Sequence, residues 1–321
     1  MRRSAGRPSC SPSGWRRHSC SVPSCTGSSH AGPASPANAR SPGSRKKRSS
    51  PRSDGRLGDV DLSADLDFAR SLADTADAIS LERFRAADLH VTKKADSTHV
   101  TDADQAVERA LRERLAAERP DDAFLGEETT ADTGAEAVSE GHRQWVVDPI
   151  DGTANYLRGV PVWATLIALA VDGRPVLGVV SAPALGKRWW AAEGSGAFSL
   201  DGPLRVSGVA DLADASLSYN SIQQWDDDDR LEPLVDLSRR VWRTRAYGDM
   251  WSYMMVAEGV LDVAGEPDLK PWDIAALVPI VEEAGGRFTS LDGDPGPWHG
   301  SALATNGLVH DAVVEVIRRE S

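Results

Sequence analysis

The sequence of 321 residues predicts an α/β protein with mixed sheets, in which layers of helices pack on sheets. Two observations lead to this fold class. A run of strand patterns occupies residues 160–210, and strand and helix patterns alternate after residue 215. No segment of the chain repeats another, so we expect no array of repeated units.

Two helices are predicted at the start of the folded part. Apolar residues recur at helical spacing within residues 61–86, namely Leu62, Leu66, Ala69, Leu72, Ala76 and Ile79. The second helix is expected to begin at Asp102, a residue type favoured at the N-cap, and to end at Pro120. Short strands are expected after it, at 123–126 and 145–148.

The middle of the chain is expected to form a series of strands. The stretch VWATLIALAVDGRPVLGVVSAP contains two apolar runs around Asp172-Gly173, a pattern typical of a β-hairpin. The stretches KRWWAAEG and GAFSLDGPLRVS continue this series. Beyond them, helices are predicted near 230–240, 249–258, 273–284 and 307–319, with short strands in between.

The first 53 residues differ in composition from the rest of the chain. They contain eleven Lys or Arg and no Asp or Glu among many Ser, Pro and Gly, a composition that cannot form a core. We therefore interpret residues 1–55 as a disordered basic extension and residues 56–321 as the folded domain. The alternatives are a nucleic-acid-binding tail, an organellar transit peptide, or an upstream stretch wrongly joined to the true start.

The charge and the cysteine content exclude several classes of function. The whole chain has a formal charge of −12, so the eleven cations of the extension leave −23 on residues 54–321. That charge argues against nucleic-acid binding by the folded domain. All three cysteines lie in the first 53 residues, which excludes disulfides, zinc–cysteine sites and thiol nucleophiles from the domain. No apolar run has the length of a membrane span, and we expect a soluble, cytoplasmic protein.

Three sets of carboxylates stand at the ends of apolar segments. Glu127-Glu128 follows the strand AFLG, Asp148 and Asp151 occur in WVVDPIDGT, and Asp273 opens the apolar helix WDIAALVPIVEEAGG. Carboxylates that converge in a cleft repel one another unless a cation lies between them. Oxygen ligands without His or Cys favour Mg²⁺ or Mn²⁺. Each carboxylate alone also has an ordinary interpretation, as a turn residue, a solvated loop residue or a helix cap.

Gly152-Thr153 follows directly after the aspartate pair. A helix that begins here would direct its free N–H groups and the positive end of its dipole at an anion beside the metal. Metal ions next to an anion-binding helix start indicate phosphoryl chemistry. We therefore predict a metal-dependent phosphatase.

These segments resemble the signatures of a known family. GEE, WVVDPIDGTANY and WDIAALVPIVEEAGG, together with KKADSTHVTDADQAVE at 93–108, are similar to the motifs of the inositol monophosphatase family of Mg²⁺-dependent phosphatases. The resemblance extends over about residues 60–318 and implies a layered α/β/α/β/α fold. One departure is Ala154, which stands where the family often has a larger residue.

The resemblance also implies roles for individual residues. Thr153 and Asp104 would orient and deprotonate the attacking water, and a metal held at Glu127 would help to activate it. The N–H groups of Gly152 and Thr153 would hold the phosphate. The implied metal ligands are Glu127, Asp148, the carbonyl group of Ile150, Asp151 and Asp273.

Within the family, the segments RWW at 188–190 and YGD at 247–249 are most similar to those of bacterial histidinol-phosphate phosphatases. This similarity implies a substrate with a cationic amine, for which Asp249 and Glu266 are the predicted partners. Arg188 is a further candidate for substrate binding. A phosphatase of inositol phosphates or of other sugar phosphates is the alternative, and the family resemblance suggests a homodimer.

Overall fold

The computed structural model describes residues 61–93, 99–130 and 142–318, so the predicted extension of residues 1–55 lies outside the described residues. The helices are α1 (Ser63–Arg83), α2 (Asp102–Glu118), α3 (Glu127–Thr130), α4 (Thr153–Arg158), α5 (Ile222–Asp227), α6 (Leu231–Arg240), α7 (Asp249–Ala257), α8 (Pro271–Ile274), α9 (Leu277–Glu283) and α10 (His310–Ile317). The strands are β1 (Val91–Lys93), β2 (His99–Thr101), β3 (Ala123–Gly126), β4 (Arg143–Asp151), β5 (Ala164–Val171), β6 (Arg174–Ala182), β7 (Lys187–Ala192), β8 (Gly196–Ser199), β9 (Gly202–Pro203), β10 (Ser216–Ser218), β11 (Arg243–Arg245), β12 (Val263–Pro267), β13 (Arg287–Thr289) and β14 (Ser301–Thr305). Within these ranges, no helix is both long enough and apolar enough to cross a membrane.

Two larger sheets contain most of the strands. Strands β3 to β9 form a seven-stranded sheet in chain order, in which β3 and β4 are parallel and each later pair of neighbours is antiparallel. The five-stranded sheet has the order β11-β10-β12-β14-β13, with parallel pairs around β10 and antiparallel pairs around β14. A short antiparallel hairpin of β1 and β2 precedes α2. Both larger sheets are therefore mixed, as predicted.

The side chains that each sheet buries define five layers. Helices α1 and α2 pack on one face of the seven-stranded sheet through apolar residues such as Leu72 and Leu111. Helices α7 and α9 lie between the two sheets, where Met254 and Ile280 belong to the largest core. Helices α5, α6 and α10 cover the outer face of the five-stranded sheet, with Leu237 in their core. The predicted α/β/α/β/α arrangement is confirmed.

The middle layer approaches the seven-stranded sheet closely because a row of small residues crosses that sheet. The row consists of Ala168, Gly178, Ala191 and Ala197, which are paired in register on β5 to β8. A Cβ atom added at Gly178 would lie 2.1 Å from the carbonyl oxygen of Ala276, between α8 and α9. The backbone of the middle layer therefore rests almost directly on the backbone of β6.

Most predicted elements are present, with differences at their ends. The predicted hairpin is formed by β5 and β6, and its turn residues Asp172 and Gly173 have φ angles of 52° and 75°, which a tight two-residue turn requires. The N-cap of α2 is Thr101 rather than Asp102, because the Thr101 hydroxyl accepts two backbone N–H groups of the first turn. The helix predicted at 273–284 is divided into α8 and α9.

Residues 1–53 are expected to be dispensable for folding and turnover, because their composition provides no core. A chain that starts at residue 54 should keep the melting temperature and the kcat/KM of the full-length protein. Thermal denaturation and phosphate release measure the two values. A clear fall in either one would show that the basic segment contributes to the folded enzyme.

Candidate metal and phosphate site

The end of β4 carries two of the predicted metal ligands. Asp148 is paired with Leu166 and Asp151 with Ala164. The step from Asp148 to Asp151 is three residues on β4, but the matching step on β5 is only two residues. The extra residue forms a β-bulge. In a regular strand the side chains of Asp148 and Asp151 would point to opposite faces of the sheet, and the bulge brings them to the same face. The Asp148 carboxylate accepts the N–H of Ile150 at 2.9 Å, which stabilises the bulge.

Asp273 reaches the same place from the middle layer. It lies in the first turn of α8, which begins at Pro271, and its carboxylate accepts the backbone N–H of Lys270 at 2.7 Å. One carboxylate oxygen from each of Asp148, Asp151 and Asp273 lies within 4.8 Å of the other two. The structure therefore brings together three of the predicted ligands from two layers.

Burial and mutual repulsion make the charged form of this cluster unfavourable. Asp148 is 2% exposed, and burial, followed by repulsion from Glu127 and Asp151, raises its pKa well above the ordinary value. Burial, followed by repulsion from Asp249 and Asp273, does the same to the pKa of Asp151. The pKa of Asp273 is raised to about 8, chiefly by burial. A cation between these oxygens would offset both the burial and the repulsion.

Glu127 lies beside the three aspartates rather than within their group. It is the first residue of α3, directly after β3, and its charge adds to burial in raising the pKa values of Asp104 and Asp148. The Glu108 carboxylate accepts the backbone N–H of Glu128 at 2.7 Å and so fixes the start of α3. Helix α2 therefore positions the segment that carries Glu127.

Thr153 and Asp104 are in contact. The Thr153 hydroxyl lies 3.2 Å from Oδ1 of Asp104 and 3.0 Å from the carbonyl oxygen of Ile150. Oδ2 of Asp104 accepts the backbone N–H and the hydroxyl of Thr101, at 2.9 and 2.5 Å. Asp104 is fully buried, and burial raises its pKa to about 6. A carboxylate with this pKa can accept a proton near neutral pH.

Gly152 makes the turn from β4 into α4. Its φ of 82° lies in the left-handed region, which L side chains rarely adopt. A Cβ atom there would also lie 3.0 Å from the carbonyl oxygen of Val162. Helix α4 begins at Thr153, so the predicted phosphate-binding N–H groups stand at a helix start, directly after Asp151.

Asp249, a predicted substrate-binding residue, lies near the aspartate cluster. It is the first residue of α7, and its Oδ2 accepts an N–H of Asn155 at 2.6 Å. The next N–H of the chain, that of Met250, donates to Oδ2 of Asp151 at 2.9 Å. Burial raises the pKa of Asp249 to about 6.

Glu266, the other predicted amine partner, is held on β12 with 3% of its surface exposed. Its Oε1 accepts the hydroxyl of Tyr253 at 2.8 Å, and its Oε2 accepts the side-chain amide of Asn220. Burial raises the pKa of Glu266 to about 7, and its charge in turn adds to the rise in the pKa of Asp151.

Arg188, predicted as a further substrate-binding residue, is not brought into this site. Its guanidinium donates to Asp74 and Asp77 at 2.7 Å each and to Ser181 at 2.9 Å. These partners place it on the face covered by α1, whereas Asp148 is paired with a residue of the opposite face. Three strand spacings, about 14 Å, also separate β7 from β4.

Several residues at the site were not indicated by the sequence analysis. Thr101 had a signal, since a threonine three positions before an acidic residue is typical of a capping box. The others make contacts with distant parts of the chain, so nothing in the sequence indicated their role, although two of them lie within the quoted motifs. These residues are Glu108, Asn155, Asn220 and Tyr253.

Comparison with known proteins agrees with this geometry. A model of the inositol monophosphatase family matches residues 61–320. The chain is 54% identical over 259 residues to a histidinol-phosphatase of Streptomyces coelicolor, which covers 78% of this chain and 95% of that protein. It is 55% identical over 258 residues to a histidinol-phosphatase of Mycobacterium tuberculosis, which covers 78% and 96%. The solved structure of an IMPase from Thermotoga maritima superposes with a TM-score of 0.69 at 31% identity and covers 79% of this chain and 96% of that one. The chain belongs to the inositol monophosphatase family.

Proposed function

We propose that this protein is a histidinol-phosphatase, which hydrolyses L-histidinol phosphate to L-histidinol and phosphate in histidine biosynthesis. One observation supports metal-dependent hydrolysis of a phosphate monoester: Asp148, Asp151 and Asp273 converge beside the helix start at Gly152-Thr153. The identity of 54% and 55% with two proteins named histidinol-phosphatase supports the substrate.

The residues present fit a divalent metal, and we propose Mg²⁺, with Mn²⁺ as the alternative. The donor set consists of carboxylate and carbonyl oxygens, which hard divalent cations prefer. The proposed ligands are Glu127, Asp148, the carbonyl group of Ile150, Asp151 and Asp273. When bound, the metal would lower the pKa of a water molecule and stabilise negative charge on the leaving oxygen.

Thr153 and Asp104 are proposed to handle the proton of the attacking water. Thr153 can donate its hydroxyl proton to Oδ1 of Asp104, 3.2 Å away, while a lone pair of the hydroxyl oxygen accepts a proton from water. The other oxygen of Asp104 is bonded by Thr101, so Oδ1 is the atom that takes up the proton. The N–H groups of Gly152 and Thr153 are proposed to hold the phosphate.

Discrimination between substrates must come from outside the metal ligands, because every phosphate monoester makes the same contacts with them. The leaving group of histidinol phosphate carries an ammonium group, which a carboxylate binds by a charge-assisted hydrogen bond. Asp249 and Glu266 are the carboxylates proposed for this contact. Arg188 is not included, because its guanidinium is bound to Asp74 and Asp77.

The alternative substrate is an inositol phosphate or another sugar phosphate. Mg²⁺-dependent phosphate release from L-histidinol phosphate and from inositol 1-phosphate, measured side by side, decides between the two. We expect the higher kcat/KM with histidinol phosphate. A preference for inositol 1-phosphate would replace the proposed substrate and keep the reaction class.

Neutralising Asp249 is expected to lower kcat/KM for histidinol phosphate by roughly ten- to a hundred-fold, the effect of losing a charge-assisted hydrogen bond of ~1.5–3 kcal/mol. Asp249→Asn is suitable because asparagine also tolerates the positive φ of 47° found here. Glycerol 2-phosphate has no amine, so its hydrolysis should fall far less. Equal losses on the two substrates would mean that Asp249 supports the metal cluster instead of binding the amine.

The substrate is a small phosphorylated molecule, and we further propose a homodimer and a cytoplasmic location.

A non-catalytic role in nucleic-acid binding would have to depend on the basic extension, since residues 54–321 carry a charge of −23. An electrophoretic mobility shift with and without residues 1–53 tests that role.

A further inference from the structure

A side-chain amide connects α4 to the predicted amine partner. Asn155 donates one N–H to Oδ2 of Asp249 at 2.6 Å and another to the carbonyl oxygen of Val162 at 2.9 Å. A carbonyl oxygen and a carboxylate oxygen are both acceptors, so the NH₂ end of the amide must face them. The Asn155 side chain is thereby fixed in one orientation, with both of its donors used.

This hydrogen bond leaves the Asp249 carboxylate able to bind a cation. Within the described residues the hydrogen bond to its side chain ends on Oδ2, and Oδ1 has no donor. No Lys or Arg in this part of the chain forms an ion pair with Asp249, and the residue keeps part of its surface exposed. An amide carries no net charge. Asn155 therefore fixes the carboxylate without neutralising it.

The backbone at Asp249 is also unusual. Its φ of 47° places a residue other than glycine in the left-handed region, directly after Gly248 with a φ of 93°. This turn directs the N–H of Met250 onto Asp151 at 2.9 Å. The same short segment thus supports a proposed metal ligand and presents a carboxylate. Strained backbone of this kind is found preferentially at functional sites.

Glu266 differs from Asp249 in this respect. Both of its oxygens accept hydrogen bonds, one from the Tyr253 hydroxyl and the other from the Asn220 amide, and it is 3% exposed. Of the two predicted amine partners, Asp249 is the one with an oxygen that accepts no hydrogen bond from the described residues.

We propose that Asn155 is a positioning residue, which holds the Asp249 carboxylate toward the ammonium group of the substrate and thereby contributes to specificity for a cationic leaving group. This inference rests on the proposed function, because it assigns an ammonium group to the substrate. Asn155 itself would not touch the reacting atoms. It acts through Asp249.

The test is a double-mutant cycle on two substrates. Asn155→Ala should raise KM and lower kcat/KM for histidinol phosphate about ten-fold, which corresponds to about 1.4 kcal/mol. The loss on glycerol 2-phosphate should be several-fold smaller. In an Asp249→Asn background, Asn155→Ala should cause no further loss on histidinol phosphate, because the group it positions has lost its charge. Asn155→Leu, which has a similar volume but neither an N–H donor nor a charge, should reproduce the pattern if the alanine variant folds poorly.

Asn306→Ala is the matched control. Asn306 also donates two hydrogen bonds through its amide, to Ser207 at 2.9 Å and to the carbonyl oxygen of Val209 at 2.7 Å. It follows the last residue of β14, whereas Glu266 is paired with Ala302 near the start of that strand. Its loss should lower the melting temperature and leave the ratio of the two substrate efficiencies unchanged.

Two results would overturn the inference. One is an equal loss on both substrates in Asn155→Ala; the other is an undiminished effect of this substitution in the Asp249→Asn background. Either result would make Asn155 a structural support of α4. Failure of the proposed function is recognised separately, because the wild-type enzyme would then hydrolyse inositol 1-phosphate in preference to histidinol phosphate.

Discussion

Asp151→Asn is expected to remove at least ~3 kcal/mol of transition-state stabilisation, a loss in kcat on the order of a hundred-fold or more. The substitution keeps the size of the side chain but removes a negative charge from the cluster with Asp148 and Asp273. An amide has only one oxygen, and Oδ2 of Asp151 already accepts the N–H of Met250 at 2.9 Å. The new NH₂ group would therefore face either the metal or a backbone donor. Steady-state phosphate release at saturating Mg²⁺ measures the loss.

Glu128→Gln is the matched control for this prediction. It also neutralises a carboxylate, next to the proposed ligand Glu127. The hydrogen bond from Glu128 to Glu108 uses the backbone N–H, which glutamine retains. We expect a far smaller loss than in Asp151→Asn. If the two variants lost activity equally, the assignment of Glu127 rather than Glu128 to the metal would be unsupported.

Removal of divalent metal is expected to abolish turnover. The proposed ligands are all oxygens, so EDTA should reduce phosphate release to background and added Mg²⁺ or Mn²⁺ should restore it. Zn²⁺ serves as a comparison, since the site has no His or Cys ligand. Turnover by metal-free protein in the presence of chelator would contradict the metal assignment.

Stability gives a second measure of the same metal site. Aspartate in the unfolded chain has a pKa near ~3.9, whereas burial raises the pKa of Asp273 to about 8 in the folded protein. Between these values the folded, metal-free state binds more protons than the unfolded state, so its stability falls as pH rises from about 4 to about 8. A bound cation offsets the repulsion, and Mg²⁺ should therefore raise the melting temperature most near the upper end of this window. If the melting temperature in EDTA did not change with pH over this range, folding would not raise the pKa values of these carboxylates as proposed.

Much of the site was predictable because its chemistry is local in the sequence. Asp148, Asp151 and Gly152 lie within five residues, and a strand that ends where a helix begins fixes their relation to one another. Asp273 was recognisable from its place at the start of an apolar helix. Thr153 and Asp104 depended on the family resemblance, because nothing in their spacing indicates the 3.2 Å contact.

The remaining contacts depend on how distant segments meet. Asn155 bonds Asp249, which is 94 residues away, and no periodicity in the sequence records that contact. Arg188 was predicted to bind substrate, but its side chain bonds to residues of α1. The reason is related. Alternation along β7 places it on the face of α1, and the pattern of a strand with buried residues on both faces does not show which face holds the site.

The close approach at Gly178 means that the distance between β6 and the middle layer helps to set the geometry of the metal site. Ala276 rests on this glycine, and Asp273 precedes Ala276 by less than one helical turn. A larger residue at position 178 would lift this segment and carry Asp273 away from Asp148 and Asp151, although every ligand would still be present in the sequence. Such a variant is expected to bind metal more weakly, although the changed residue is uncharged, is not a ligand and lies on β6 of the seven-stranded sheet.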